Sequence, residues 1–386
     1  MYVKPSLDLE FGGLPAGGTE GAVPRLVTTV ATPPLAGIAC CRDIPDVQDG
    51  IEEPSLEPEL RWGQVLDGRF VIREAISRSG MATIYRAEDM RHRRCEVAVK
   101  VPLRNFESDP GGFARFHHEE EIGLKLAHPL LLKFHPVEGR KGRPYLVTEF
   151  LRGCTLGRLE RATRPLAETD ALKIVSVICT AVGQMHDQGI IHRDLKPSNI
   201  MVCCDQTLRV LDFGLSSPPV RQRSVLAKLT PIFGAPEYMA PEQVENGVID
   251  ERTDIYALGA ILYELLTGSV PFENEDQWQS AFQRTTGDPV APRKLNPRLS
   301  PQAEEIVLHA LQRSPEDRYP SMAAFMADLV APERVPVTGY CDRLRAPRWK
   351  LGFQSTPVLM GLLLGFGAVL LLIGMFLVLW WRFAPK

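Results

Sequence analysis

The chain has 386 residues, with 47 acidic and 44 basic side chains and a formal net charge of −3. A hydrophobic content of 45% allows a sizeable core and excludes wholesale disorder, while the near-neutral charge excludes a dedicated nucleic-acid binder. Eight cysteines in a chain of this length, without paired zinc-ligand spacing, exclude a disulfide scaffold and point to a reduced compartment.

Residues 1–64 hold eight Pro and eight Gly, and 4 basic against 10 acidic residues, a net of −6. Such a segment cannot bury enough surface to offset chain entropy, so a disordered acidic tail is expected. Its start, MYVKPSLDLEFGG, lacks a basic stretch leading into an apolar run, so no secretory leader is expected. The adjacent Cys40 and Cys41 read as ordinary loop residues.

From residue 65 to 330 short β-like runs give way to longer amphipathic stretches. Strands are predicted over 70–77, 82–88 and 96–102, a helix over 112–127, then strands over 131–137 and 144–150. Beyond Thr169 the pattern turns helical, with an apolar stripe of Leu172, Val175, Ile178 and Val182 at spacings of three and four. Further helices are predicted over 253–266, 301–311 and 321–329. The outline is a small β-rich lobe, about 65–151, followed by a helical lobe, about 152–330.

Residues 331–355 read as a basic juxtamembrane linker carrying Arg343, Arg345, Arg348 and Lys350. Residues 351–381 then run 31 positions without a charge, and about 20 apolar residues span a bilayer. One transmembrane helix over 356–381 is predicted, with Pro357 near its start, Trp380 and Trp381 at an interface, and a short tail, 382–386. The basic cluster before the span puts the larger part of the chain on the cytoplasmic side, the inner or plasma membrane in a bacterium. Segment 331–386 has 7 basic and 2 acidic residues, a net of +5, which suits anionic lipid headgroups. Gly361 and Gly365 form a small-xxx-small pair that would pack two such helices into a homodimer.

The densest chemical signal is Ile191-His192-Arg193-Asp194-Leu195-Lys196-Pro197-Ser198-Asn199, followed 13 residues later by Asp212-Phe213-Gly214. Phosphoryl transfer from a nucleotide needs metal to bridge phosphates, a carboxylate at the attacking hydroxyl, and cations on developing charge. An Asp and an Asn five apart on a rigid loop, with a second Asp at a nearby strand end, supply those functions. Upstream, Val97-Ala98-Val99-Lys100 is an alternating strand ending in a lysine, and a buried lysine needs an anion. The candidate carboxylate lies in Arg115-Phe116-His117-His118-Glu119-Glu120-Glu121. Counting back from His128-Pro129 favours Glu119 and leaves Glu120 and Glu121 as a solvated helix face.

On these motifs residues 65–330 resemble the protein kinase superfamily, specifically the bacterial-type (Hanks-type) Ser/Thr protein kinases. The resemblance implies an α+β, bilobal protein-kinase-like fold, here with one transmembrane helix added, and dependence on ATP and Mg2+, with Mn2+ as a substitute. It implies that Asp194 orients the substrate hydroxyl, Lys196 stabilises the transferring phosphoryl, and Asn199 and Asp212 hold metal, while Lys100 contacts phosphate and pairs with Glu119. Met239-Ala240-Pro241-Glu242 resembles the close of the activation segment, with Glu242 paired to Arg318, and Asp254 resembles the aspartate bracing the catalytic loop. Thr148-Glu149-Phe150-Leu151 looks like the hinge, its backbone binding adenine between Ala98 and Met201. The phosphate-covering loop would be Ile76-Ser77-Arg78-Ser79-Gly80-Met81-Ala82-Thr83-Ile84-Tyr85.

Two features depart from the family. Ser77, Ser79 and Ala82 stand where the loop pattern has glycine, which lets backbone approach phosphate, and weakened nucleotide affinity is expected. Ala235 stands where these kinases carry a threonine that bonds the catalytic Asp and Lys. Arg193 beside Asp194 is typical of kinases switched by activation-segment phosphorylation, and Ser216, Ser217, Ser224 and Thr230 are the candidate acceptors, opposed by a phosphatase. Gly214 belongs to the metal-binding turn. The expected partners are proteins with Ser/Thr acceptors and the bilayer, and no nucleic acid. A membrane-tethered pseudokinase scaffold is the alternative.

Overall fold

Residues 70–102 alternate in burial, and they form three long strands in a computed structural model that describes residues 59–104, 110–217, 236–245, 247–274 and 277–345. Strands β1 (Val65–Leu66), β2 (Phe70–Arg78), β3 (Ala82–Asp89), β4 (Cys95–Pro102) and β5 (Leu146–Glu149) make one antiparallel sheet in that order. Val97, Val99 and Val101 enter a core with Phe70, Ile72, Tyr85 and Tyr145, so Ala98 and Lys100 take the other face. Lys100 stands opposite Ile84 and Leu146, and Ala98 opposite Thr148, so these side chains share one face.

Helix α1 (Pro110–Lys125) crosses to the second, larger core, where its Phe116 and Ile122 join Phe134 and Phe213. That core is otherwise helical and holds β6 (Gly153–Thr155), β7 (Ile200–Cys203) and β8 (Leu208–Val210) as a small sheet. Its helices are α2 (Leu156–Thr163), α3 (Glu168–Asp187), α4 (Pro241–Val244), α5 (Glu251–Thr267), α6 (Gln277–Thr286), α7 (Pro292–Leu295), α8 (Pro301–Ala310) and α9 (Met322–Val330). A β-rich lobe and a helical lobe therefore stand as the sequence reads them.

Helix α5 organises the helical lobe. Every residue from Thr253 to Leu266 is buried, and the helix packs on α3, α8 and α9. Asp250 caps its start by accepting from the Arg252 amide, and Gly268, at φ 81°, ends it in the left-handed region. A Cβ on Gly259 would lie 2.8 Å from the Ala310 Cβ, so this glycine sets the approach of α5 and α8.

Three expectations change. Residues 131–137 form no strand. They make one bridge to β8 (Leu131 with Val210) and one to β5 (Phe134 with Thr148), passing between sheets instead of laddering along either. Residues 59–64 are not free tail: Leu60 is buried against the sheet and donates its amide to the Tyr85 hydroxyl at 3.2 Å, and Glu59 pairs with Arg143 at 2.9 Å. At the other end, packing runs past residue 330 to Arg345, with Val335 in the helical core and Glu305 accepting from the Thr338 amide at 2.6 Å. No helix among the described residues is long and apolar enough to cross a membrane. The stretch 351–381 with Gly361 and Gly365, the tail 1–58, Ser224, Thr230 and Ala235 lie outside the described residues.

Substituting Gly259→Val should destabilise the domain by about 1–3 kcal/mol through overpacking against Ala310. Chemical denaturation reads this as a lower midpoint at unchanged slope; an unchanged midpoint would mean that the two helices separate freely.

Candidate active site

The shared face of the sheet brings Lys100 over the start of the helical lobe. Its Nζ donates to both Glu119 oxygens at 2.8 and 2.7 Å and lies 3.8 Å from Asp212 Oδ1. Burial opposes the lysine charge, but Asp212 and Glu119 outweigh it and hold its pKa above the ordinary lysine value. Burial pushes the Glu119 carboxyl up to about 7, against the pull of Lys100. Lys100 in turn holds Asp212 below the usual carboxylate range, against burial. Glu120 instead meets Lys141 at 2.6 Å, and Glu121 meets Lys125 on an exposed face. The neighbouring His118 Nε2 donates to the Ser216 carbonyl at 2.5 Å, tying α1 to the chain just beyond Gly214.

Below the lysine lies the loop 191–199, held from beneath by Asp254 in the first turn of α5. Its buried carboxylate accepts from the His192 amide at 2.8 Å, the Arg193 amide at 2.9 Å and His186 Nε2 at 2.8 Å. Burial works against the Asp254 charge, but His186 and the loop amides outweigh it and keep the carboxyl below its usual range. These bonds help hold Arg193 at φ 70°, a left-handed conformation that costs a non-glycine residue about 1–2 kcal/mol. His192 is fully buried; its Nε2 donates to the Leu211 carbonyl at 3.1 Å, which leaves Nδ1 to accept the Asp194 amide at 3.3 Å. One imidazole thus joins the loop to the strand end bearing Asp212.

Asp194 Oδ2 receives Lys196 Nζ at 2.9 Å and Asn199 Nδ2 at 3.0 Å, and the same amide donates to the Asp194 carbonyl at 2.8 Å. Asn199 therefore keeps its side-chain oxygen as a free type of donor for a cation. The Leu211 amide donates to the Asn199 carbonyl at 2.8 Å, so Asn199 and Asp212 stand on neighbouring strand ends. Asp212 sits at φ 61°, and its Oδ1 accepts the Gly214 amide at 3.2 Å. Phe213 between them is buried against His192 and Phe134. Two oxygen donors fit a hard divalent ion such as magnesium, which fills its remaining positions with water and phosphate oxygens. Among the described residues no group of three His, Cys, Asp or Glu is arranged for a metal of its own.

Above the cleft, the β2–β3 turn closes on itself. Ser79 Oγ accepts from the Met81 amide at 3.3 Å and the Ala82 amide at 3.1 Å, and donates to the Ala82 carbonyl at 3.2 Å. Gly80 and exposed Met81 form its tip, while Ser77 pairs with Ile84 across the ladder. Met201 pairs with Thr155 and Arg209 in the small sheet, and Ala98 stands opposite Thr148 on the sheet face it shares with Lys100. Thr148 is buried there, and Glu149 and Leu151 follow it into the helical lobe. Glu149 also receives the Lys133 amide at 3.0 Å and Arg209 at 3.4 Å, which fixes this crossing between lobes.

Beyond Gly214 the chain pairs back on the loop through Ile191 and Ser217. Ser216 is 1% exposed and its hydroxyl donates to the His192 carbonyl at 3.4 Å; Ser217 Oγ accepts from Arg193 at 2.9 Å. Farther on, Glu242 and Arg318 form a buried two-pronged pair at 2.8 and 2.7 Å, with Thr253 Oγ1 donating to Glu242 at 2.8 Å. Arg318 also reaches the carbonyls of Gln312, Arg252 and Arg313 and lies over the Tyr256 ring.

Sequence reasoning passed over four residues. Gln243 donates to the Arg193 carbonyl at 2.9 Å while accepting the Ala240 amide, which links the Met239–Glu242 motif to the loop. His186, His192 and His118 act as described above. A polar residue at the inner end of apolar α3 was the signal for His186, whereas nothing local marks Gln243.

Residues 70–330 match the family model described as protein kinase domain. The serine/threonine-protein kinase PknB of Mycolicibacterium smegmatis is 34% identical over 271 residues, 69% of this chain and 43% of that protein. PknB of Mycobacterium tuberculosis is 34% identical over 269 residues, and a probable PknB of Lactococcus lactis 34% over 270, each with 43% of the relative covered. The chain thus spans less than half the length of the curated relatives it matches.

Substituting Arg318→Met leaves Glu242 buried without its counter-charge and should cost about 3–5 kcal/mol. Equilibrium unfolding would show the loss; a cost under about 1 kcal/mol, typical of a solvated surface pair, would contradict a buried pair.

Proposed function

The chain belongs to the protein kinase family, and from that premise we propose that it transfers the terminal phosphoryl group of ATP to serine and threonine hydroxyls of proteins. The observation that carries this reading is the meeting of Lys100, Asp194, Lys196, Asn199 and Asp212 at one cleft. Bound ATP with a divalent ion supplies the phosphoryl group and neutralises phosphate charge. Asn199 and Asp212 would hold the ion, and Lys100, fixed by Glu119, would hold phosphate. Asp194 takes the proton of the acceptor hydroxyl and orients it, with its carboxylate aimed by Asn199. Lys196 beside it offsets negative charge on the moving group. Buried Thr148 and Ala98, with half-buried Met201, would border the adenine ring.

The domain works at the cytoplasmic face of a membrane, held by a helix over 356–381; the 31 uncharged residues of 351–381 support this. Autophosphorylation in the activation segment is the proposed switch. Ser216 is the least suited of the four candidates because it is buried; Ser217 already meets Arg193, and Ser224 and Thr230 lie among Arg221, Arg223 and Lys228 in sequence. A phosphatase would reverse it. Gly361 and Gly365 would let two anchors pair.

One observation favours a second reading, a scaffold that holds nucleotide without efficient transfer: Ser79 occupies two loop amides that a phosphate would need.

The full chain should label itself or a generic basic protein from ATP and magnesium, and Asp194→Asn should lower kcat by about 10²–10⁴-fold. Wild-type silence with nucleotide still bound would favour the scaffold. Substituting Ser79→Gly frees two amides, each net hydrogen bond being about 0.5–1.5 kcal/mol, so KM for ATP should fall by about 5-fold or more at similar kcat. A rise in KM would show that the serine organises the loop for phosphate instead of competing with it.

A further inference from the structure

The chain leaves the helical lobe at a fixed place. Residues 332–345 are tied to the lobe by four sets of contacts. Val335 enters the core, and Glu305 accepts from the Thr338 and Tyr340 amides at 2.6 and 3.4 Å. His309 lies against the rings of Tyr319 and Tyr340, with centroids at 3.9 and 5.4 Å. At the end of the segment Asp288 clamps Arg345 on both sides of its backbone. The Arg345 amide donates to Asp288 Oδ2 and the Asp288 amide donates to the Arg345 carbonyl, each at 2.8 Å.

Residues 346–355 separate this clamp from the span predicted over 356–381. Eleven chain steps reach at most about 36–40 Å. With that span in a bilayer, the part of the lobe around Asp288 stays within about 40 Å of the headgroups.

The surface next to the clamp has the matching chemistry. Arg293, Lys294 and Arg298 are exposed, and so are Val290 and Leu295, at 51% and 47%. No Asp or Glu occurs between residues 289 and 303. Arg343 and Arg345 on the docked segment are exposed too; its two acids are Asp342 and Glu333, the latter beside Arg334 at 3.8 Å. Asp288 itself is neutralised by Arg313 at 2.8 Å. The patch is rigidly mounted: the Val290 carbonyl accepts from the Tyr263 hydroxyl at 2.9 Å, and Asn296 donates to the Leu266 carbonyl at 2.8 Å, both on α5. Cationic side chains interleaved with exposed apolar ones, on a preformed face, fit an anionic lipid surface.

We propose that residues 290–298, together with Arg343 and Arg345, form a docking face for an anionic bilayer, which fixes the orientation of the lobe at the membrane. This rests on the reading of 356–381 as a membrane span. It makes residues 331–345 a docked part of the lobe, in place of a loose linker. The surface potential of anionic lipid decays over about 10 Å or less, so a slack tether would forfeit most of the attraction that the docked one retains.

The test uses the full chain in lipid nanodiscs of phosphatidylcholine, or with phosphatidylglycerol replacing a third of it, followed by hydrogen–deuterium exchange. Amides of 290–298 should exchange severalfold more slowly in the anionic discs, at about fivefold affinity per basic residue engaged. High salt should remove the difference, and so should the triple substitution Arg293→Glu, Lys294→Glu and Arg298→Glu. The milder triple change to Gln, with melting measured for both, guards against misfolding. Equal exchange in the two discs would overturn the proposal. Protection that follows the number of chains per disc would also overturn it, by putting a second copy on this face. A chain that enters neither disc would refute the span itself, a distinct failure that removes the proposal with it.

Discussion

One buried carboxylate holds the site together. Asp254 sits in a helix buried at every residue from Thr253 to Leu266 and accepts hydrogen bonds from two consecutive loop amides and from His186. Buried donors of this kind cost about 1–3 kcal/mol each when left unpaired, so the loop keeps its left-handed Arg193 only while Asp254 is present and charged. From that loop His192 reaches Leu211 and Gln243 reaches the Arg193 carbonyl, which fixes the strand end with Asp212 and the motif with Glu242. Positions of the reactive groups therefore trace back to α5.

Above this frame the charges balance locally. Lys100 faces Glu119 and Asp212, and Lys196 faces Asp194. Lys100 is kept charged by its adjacent carboxylates. Phosphate entering such a cleft replaces an existing attraction, and no bare charge is left buried. The Ser79 turn adds the opposite tendency, since it satisfies its own amides before any nucleotide arrives.

The parts legible in the sequence were those with a strong local signature. Alternation found β2, β3 and β4, apolar periodicity found α3 and α5, and the spacing of Asp194, Asn199 and Asp212 marked the site before any fold was known. Glu119 was separable from Glu120 and Glu121 only by counting along its helix. What the sequence did not disclose depends on contacts between distant segments. Residues 131–137 have strand-like composition, yet their bonds divide between two sheets. Residues 332–345 read as a basic linker, but Glu305 and Asp288, far away in the chain, fasten them to the lobe. Short elements such as β6 and α7 carry too few residues to show a period.

The net charge of −3 likewise conceals an acidic head, a balanced middle and a basic end. The most direct measurement of the central arrangement is phosphate transfer by the full chain carrying Asp254→Asn, with nucleotide binding and melting followed in parallel. The expected result is a folded variant that still binds ATP near the wild-type affinity but transfers at least tenfold more slowly, since the loop has lost its brace. A variant that turns over at the wild-type rate would contradict the dependence of the site on Asp254.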